Sequence, residues 1–310
     1  MKFLTFHDDG RPRAGLLGAE GVHPLPVGVQ LLDLLGDDGS RLREAGERAA
    51  ATGEVRRYDQ LRLMAPIPNP PTVRDFMTFE SHFAGARGAH NPIPSQWYAA
   101  PAFYFTNPYA VIGAGDPVPM APGSSLFDLE LEVAAIVGRA GRDLSPDQAE
   151  SHIAGYTIFV DWSARDLQFA EMQVGLGPAK GKDTATTMGP VLVTPDELAP
   201  FRCGTSFALE MTASINGKTL GSDRLSNMAW TFGDILTYAS RGTEVRPGDV
   251  LASGTCGGGC LAEMWGRHGF DGYPPLKPGD NVCVTVEKLG SMTLSIVEGA
   301  VPVAFPAARR

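Results

Sequence analysis

The 310-residue chain contains no run of about 18 consecutive apolar residues, so no membrane-spanning helix is expected. Its start, "MKFLTFHDDGRPRAGLLG", lacks an apolar signal core, and the expectation is a cytoplasmic protein. Basic clusters are also missing. With a net charge of -9 and no Lys/Arg run, a nucleic-acid partner is not expected, because binding a phosphate backbone calls for a basic face. Only four cysteines occur (Cys203, Cys256, Cys260, Cys283), too few and too late in a long chain for a disulfide framework, so reduced thiols are expected. Cys256 and Cys260 in "GTCGGGCLAE" have a metal-like spacing. No second Cys or His pair follows at zinc-finger distance, and the two are expected to pack a loop. The Gly-rich "SGTCGGGC" lacks the Gly-Lys-Ser/Thr ending of a phosphate loop and does not fit the dinucleotide fingerprint. Internal repeats, heptads and low-complexity tracts are absent.

What is present points to a mixed, β-rich α+β protein. The chain is 43% hydrophobic and 20% charged, and its 37 glycines and 25 prolines are scattered without a period, as expected for many turns and short strands. Residues 1–65 read as a small N-terminal domain with a hairpin-like start and the helical pattern "GVQLLDLLGDDGSRLREAGERAAATG". The proline-rich "APIPNPPTV", residues 65–73, favours extended chain and is read as the linker, leaving 66–310 as the main domain. In that domain "SPDQAESHIAG" starts a helix and "LSNMAWTFGDILTYAS" has helical periodicity. "FALEMTASINGKTLG" carries an Asn216–Gly217 hairpin turn, and "NVCVTVEKLGSMTLSIV" reads as strand.

The segment "FDLELEVAAIVG", residues 127–138, raises a chemical question. Alternation places Leu129, Leu131, Val133, Ala135 and Val137 on one face, and Asp128, Glu130, Glu132, Ala134 and Ile136 on the other. A strand apolar on both faces from Val133 onward is covered on both sides, so its carboxylates stand at the rim of something buried, where they need a cation or a proton. The alternative reading is a solvated edge face. A second acidic signal, Asp161 in "GYTIFVDWSARDLQ", follows another apolar run. It is succeeded by Arg165, Asp166 and Gln168, then by "GLGPAKGKDTATTMGP" with Lys180, Lys182 and Thr186.

"FDLELEVA", "VDWSARDLQ" and "GPAKGKDTATTMGP" together resemble the fumarylacetoacetate hydrolase family, in the same order and at similar spacing, through most of residues 72–290. The resemblance implies a β-sandwich roll catalytic domain with a small N-terminal domain, a homodimer, and a divalent cation bound by Asp75, Glu130, Glu132 and Asp161. It also implies a general-base His, seven residues after the first metal-binding Asp, at His82. Glu263 in "GGGCLAEMW" corresponds to the Glu that orients that His. Lys182 and Thr186 match the Lys and Thr of the "GKD" stretch, and Arg87, Tyr104, Gln168 and Thr255 match substrate-binding positions. Met77 and Met172 stand where the animal enzymes carry substrate-contacting tyrosines. A thioether cannot donate the hydrogen bond of a phenol, so the substrate preference differs.

Chemistry gives the same outline. Four carboxylates and a Lys suit a hard cation, Mg2+ or Ca2+, or Mn2+. His82 held by Glu263 would deprotonate water, and Lys182 and Gln168 would stabilise oxyanions. The leading expectation is therefore a hydrolase that cleaves a carbon–carbon bond in a 1,3-diketone acid, a fumarylacetoacetate- or acylpyruvate-like small molecule, in the catabolism of aromatic compounds. The alternative is a decarboxylase or isomerase of 2-oxo acids on the same fold, which needs no attacking water. A non-enzymatic, metal-stabilised protein is the third class. Asp166 is expected to fix its loop by pairing with Arg165 or a backbone amide. His90, His152 and His268 are read as surface or loop residues.

Overall fold

The computed structural model describes residues 1–87 and 91–309, except for the Arg87 side chain; His90 lies outside the described residues. The strands that matter here are β1 (Lys2–Asp8), β2 (Arg11–Leu17), β3 (Val22–Pro24), β4 (Val73–Phe76), β5 (Phe103–Thr106), β6 (Phe127–Val137) and β7 (Ile153–Ala164). They continue with β8 (Thr186–Val193), β9 (Glu210–Ile215), β10 (Lys218–Arg224), β11 (Val250–Ala252), β12 (Asn281–Val286) and β13 (Gly290–Val297). The helices are α1 (Ser40–Ala51), α2 (Glu80–Arg87), α3 (Arg165–Met172), α4 (Phe232–Ser240) and α5 (Leu261–His268). Nine strands of an 11-stranded sheet run in the order β3-β2-β1-β8-β7-β6-β11-β4-β5, and a five-stranded sheet contains β10-β9-β12-β13. This is the expected sheet-rich α+β architecture.

The fold is organised around β6, in which every residue is buried. Its odd-numbered face, Leu129 to Val137, enters a core shared with Met211 of β9, Val284 of β12 and Leu294 of β13. On the opposite face Ala134 and Ile136 join a second core with Phe159, Met188 and Phe3. Both faces are thus covered, as the unbroken apolar run from Val133 requires. The β9–β10 hairpin turns at Asn216 and Gly217, both with positive φ, as an Asn-Gly turn demands. Among the described residues no helix is long and apolar enough to cross a membrane.

The N-terminal residues extend the large sheet. Phe3 of β1 pairs with Leu192 of β8, and α1 packs Leu42, Ala45 and Ala49 into the second core. Within the expected linker, Ala65 and Ile67 are buried, and the Thr5 hydroxyl donates to the Pro66 carbonyl at 2.8 Å. We propose that residues 1–65 are a small N-terminal domain built onto residues 66–310. Because the two share strand pairing and a core, they are expected to unfold together, with far- and near-UV thermal transitions coinciding. A separate, lower-temperature transition would contradict this coupling.

Candidate active site

Strand register assembles the acids. Asp161 of β7 lies opposite Glu130 of β6, and β11 flanks β6 on its other side. Beyond β11 runs β4, where Asp75 is level with Ala252, and β5 places Tyr104 opposite Asp75. Glu130 and Glu132, two residues apart, project from the same face of β6. Ligand atoms of Asp75, Glu130, Glu132 and Asp161 consequently lie within 4.8 Å of one another, and all four residues are buried. The acids of β6 are therefore not a solvated edge. Gly254, at φ +78 just past β11, donates its N–H to Glu132 Oε2 at 2.9 Å; a β-carbon there would meet the Phe76 carbonyl at 2.2 Å.

Five buried carboxylates, these four and Asp128, face two buried cations, Lys182 and Arg165. Lys182 Nζ pairs with Glu130, lies 2.5 Å from Asp161 Oδ2 and donates to Ser163 Oγ at 2.7 Å. All three ammonium protons are thus used inside the cluster. Arg165 bonds Asp128 at 2.7 and 2.9 Å and Glu130 at 2.7 Å. Burial pushes the Glu130 carboxyl up, but Arg165 and Lys182 outweigh it and hold the group well below the usual range. The other acids go the opposite way. Burial, reinforced by neighbouring carboxylates, raises Asp75 and Glu132 well above the carboxylate range, and burial raises Asp161 to about 6 against the opposing charge of Lys182.

One oxygen each of Asp75, Glu132 and Asp161 is buried without a hydrogen-bond partner. Such orphaned acceptors are costly, and three of them converging from carboxylates in charge excess is the pattern that a hard, oxygen-seeking cation completes. The residues fit a divalent ion. The Thr186 hydroxyl, also buried and unpartnered, belongs to the residue opposite Asp161 in register. Tyr104 Oη lies 2.9 Å from Asp75 Oδ2 and 2.6 Å from Asp161 Oδ2, so this expected substrate contact also touches the acids.

Beside the acids stands the expected base. His82 Nδ1 is 3.4 Å from Glu263 Oε2, which also accepts the Gly258 N–H at 2.7 Å, while Glu263 Oε1 pairs with Arg267. Glu263 belongs to the first turn of α5, whose N-terminal amides of Leu261 and Ala262 donate to Asp128 at 2.7 and 3.0 Å. A carboxylate at that end of the helix is favoured by the unpaired N–H groups and the dipole. Gly85 lets α2 reach α5, since a β-carbon there would lie 2.6 Å from Glu263 Cγ. With Nδ1 turned to Glu263, Nε2 remains for the cavity.

The cavity over the acids measures about 630 Å³ and is lined by Asp75, His82, Tyr104, Glu130, Glu132 and Lys182, with Gln168 and Thr255. Gln168 Oε1 accepts from Arg165 at 3.1 Å. Glu263 sits behind His82, and the Arg87 side chain lies outside the described residues. Three contributors escaped the sequence reading. Asp128 and Arg165 form the buried link between β6, α3 and α5, although the alternation in "FDLELE" already put Asp128 on the acidic face. Cys260, expected only to pack a loop, has its Sγ 3.8 Å from His82 Nδ1 and accepts the Glu263 N–H at 3.4 Å. Asp166 accepts from Ser124, Ser125 and its neighbour Leu167, so the backbone-amide reading holds while Arg165 turns to Asp128. His152 is buried, with Nδ1 3.1 Å from the Arg139 carbonyl, and is not a surface residue.

Comparison with known proteins finds relatives in sequence and in fold. The fumarylacetoacetate (FAA) hydrolase C-terminal family profile matches residues 72–297. Oxaloacetate tautomerase YisK of Bacillus subtilis strain 168 is 31% identical over 241 residues, covering 76% of this chain and 73% of the relative. The fumarylacetoacetate hydrolase from psychrophilic Exiguobacterium antarcticum superposes with a TM-score of 0.76 at 27% identity, over 96% of this chain and 99% of that one. Maleylpyruvate hydrolase from Sphingobium sp. SYK-6, solved with manganese(II) and pyruvate, shares the fold at a TM-score of 0.73 and 20% identity, over 97% and 100% of the two chains.

The raised carboxyls set a pH dependence. Between the ordinary carboxylate range and about 6 or above, folded cation-free protein holds protons on Asp161, Asp75 and Glu132 that the unfolded chain has released, so their contribution to its stability falls as pH rises. Cation binding needs the same groups ionised and strengthens over that window. The rise in Tm on adding Mg2+ should be small near about pH 5 and larger near about pH 7.5. Glu132→Gln should weaken Mg2+ affinity by at least the roughly 10- to 100-fold that loss of a supporting contact costs a metal site. A pH-independent Mg2+ effect, or unchanged affinity in the variant, would contradict the site.

Proposed function

The chain belongs to the fumarylacetoacetate hydrolase family, and from that premise we propose that it is a metal-dependent enzyme acting on a 2-oxo acid by proton transfer at C3, a tautomerase or isomerase. One observation carries the reading as an acid–base enzyme: among the described cavity-lining residues, His82 is the sole base outside the carboxylate cluster, and it stands beside that cluster with Nδ1 turned to Glu263. A single base suffices for tautomerisation. The likeness to an oxaloacetate tautomerase supports the same choice and favours it over the hydrolytic cleavage expected first from the sequence.

A divalent cation (Mg2+, Mn2+ or Ca2+) held by Asp75, Glu130, Glu132 and Asp161 would supply positive charge beside the substrate's oxygens, the setting in which a C3 proton becomes acidic. His82 Nε2 takes that proton. Glu263 stabilises the resulting imidazolium through Nδ1, and Nε2 returns the proton to the substrate oxygen, so no atom is gained or lost. The Gln168 amide and Thr255 hydroxyl orient the substrate carboxylate. Lys182, with its donors engaged by Glu130, Asp161 and Ser163, holds two of the cation-binding acids in place.

Hydrolysis of a 1,3-diketone acid is the second reading, favoured by the same His82–Glu263 pair, which suits activation of water. We also propose a homodimer and a cytoplasmic location. Light scattering at micromolar concentration should report twice the chain mass of 32.9 kDa, and a monomer would contradict the assembly.

His82→Ala should lower the rate of keto–enol conversion, followed by ultraviolet absorbance across a panel of 2-oxo acids, by about 10²- to 10⁴-fold while leaving metal content unchanged. Glu263→Gln should lose less, since it acts through the imidazole. Release of two acids from a diketone, with no effect on any 2-oxo acid's enol content, would replace the tautomerase by the hydrolase. Full activity of His82→Ala would contradict both.

A further inference from the structure

Behind the base, the two oxygens of Glu263 face different partners. Oε2 accepts the Gly258 N–H at 2.7 Å and lies 3.4 Å from His82 Nδ1, whereas Oε1 pairs with Arg267, one turn further along α5. Glu263 is fully buried, but the Arg267 side chain is 44% exposed, so one end of the carboxylate is tied to a guanidinium that reaches solvent. Among the described residues, Trp265 and Gly266 of the same helix line the cavity and Arg267 does not. Arg267 therefore meets Glu263 from outside the space that a substrate would fill.

A Glu–Arg pair four residues apart on an exposed helix face contributes little, because water solvates either charge when the other is removed. Buried, Glu263 lacks that recourse: without a partner, its charge must take a proton or turn to another donor. The start of α5 is already committed, since the Leu261 and Ala262 amides donate to Asp128 and the Glu263 N–H to Cys260 Sγ. Rotation is restricted as well. On the α2 flank, a β-carbon at Gly85 would lie 2.6 Å from Glu263 Cγ, and one at Gly266 would lie 2.8 Å from the Gly85 carbonyl. With Oε1 held by Arg267, Oε2 stays an acceptor toward Gly258 and His82. An acceptor beside Nδ1 calls for the imidazole tautomer protonated there, which leaves Nε2 as the basic nitrogen. A protonated Glu263 would instead donate to Nδ1 and put the ring proton on Nε2, where it blocks proton abstraction.

We propose that Arg267 is a positioning residue of the active site: by holding Glu263 as an ionised acceptor, it sets the His82 tautomer with the proton on Nδ1 and the free electron pair on Nε2. This rests on the reading of His82 as the base, and it serves tautomerisation and hydrolysis alike. The test uses the full-length protein with isotope-labelled histidine, whose ring-nitrogen NMR shifts report the tautomer without any substrate; His82 is assigned by the signals lost in His82→Ala. Above the pH at which the ring titrates, the native protein should carry the proton on Nδ1. Arg267→Gln should move it toward Nε2, and Arg267→Lys, which keeps a positive charge on Glu263, should restore the native pattern. With Mg2+-loaded protein and 2-oxo acids, Arg267→Gln should lower kcat by about 10- to 100-fold, part of the roughly 10² to 10⁴ that a positioned base contributes, with a smaller change in KM and unchanged metal content. The double variant Glu263→Gln/Arg267→Gln should lose no more than Glu263→Gln alone, because Arg267 acts through that residue. A native His82 tautomer in Arg267→Gln, or additive losses in the double variant, would overturn the proposal and leave Arg267 a structural role only. If His82→Ala is inactive while Arg267→Gln keeps native kcat, only the role of Arg267 falls. If His82→Ala keeps full activity, the base reading falls and takes the role of Arg267 with it.

Discussion

The physical constraint on which the rest depends is the burial of like charge on adjacent strands. Asp75, Glu130, Glu132 and Asp161 converge within 4.8 Å in the interior, beside the fifth acid, Asp128. Carboxylates in that arrangement repel one another and have lost their water, so each must be neutralised by a partner or a proton. Lys182 and Arg165 meet part of the charge. The orphaned oxygens on Asp75, Glu132 and Asp161 mark the part that they do not meet.

That constraint also shapes the surroundings. Arg165 bonds Asp128 and Glu130 together, and Asp128 in turn anchors the first amides of α5. The helix carries Glu263, which meets His82 on α2, and the approach of the two helices depends on Gly85. The electrostatic balance of the cluster and the position of the base are therefore linked through one chain of buried contacts. The same cavity is also lined by methionine and aromatic side chains, Met77, Phe83, Phe169, Met172, Trp265 and Phe270 among them.

Much of this was legible in the sequence because a strand's period of two is strict. The alternation in "FDLELEVAAIVG" placed Glu130 and Glu132 together and Leu129 to Val137 opposite, and the apolar run beyond Val133 signalled burial on both faces. The Asn216–Gly217 turn was equally local. Contacts across the chain were not. Nothing near Arg165 says that it turns to Asp128 and leaves Asp166 to the Ser125 amide, and nothing near Cys260 places its sulfur beside His82. Prolines in residues 65–73 marked extended chain, but composition could not show that Ala65 and Ile67 are buried. The choice between hydrolysis and tautomerisation was hidden for a different reason: both use a base beside a cation, so the same residues serve either.

The most direct measurement is anomalous diffraction from crystals grown or soaked with Mn2+. A single strong peak among the carboxylates of Asp75, Glu130, Glu132 and Asp161, absent after chelation, is the predicted result. Fully occupied Mn2+ elsewhere, or no peak at this cluster at saturating Mn2+, would show that protons, Lys182 and Arg165 alone balance the buried charge, and would contradict the metal centre.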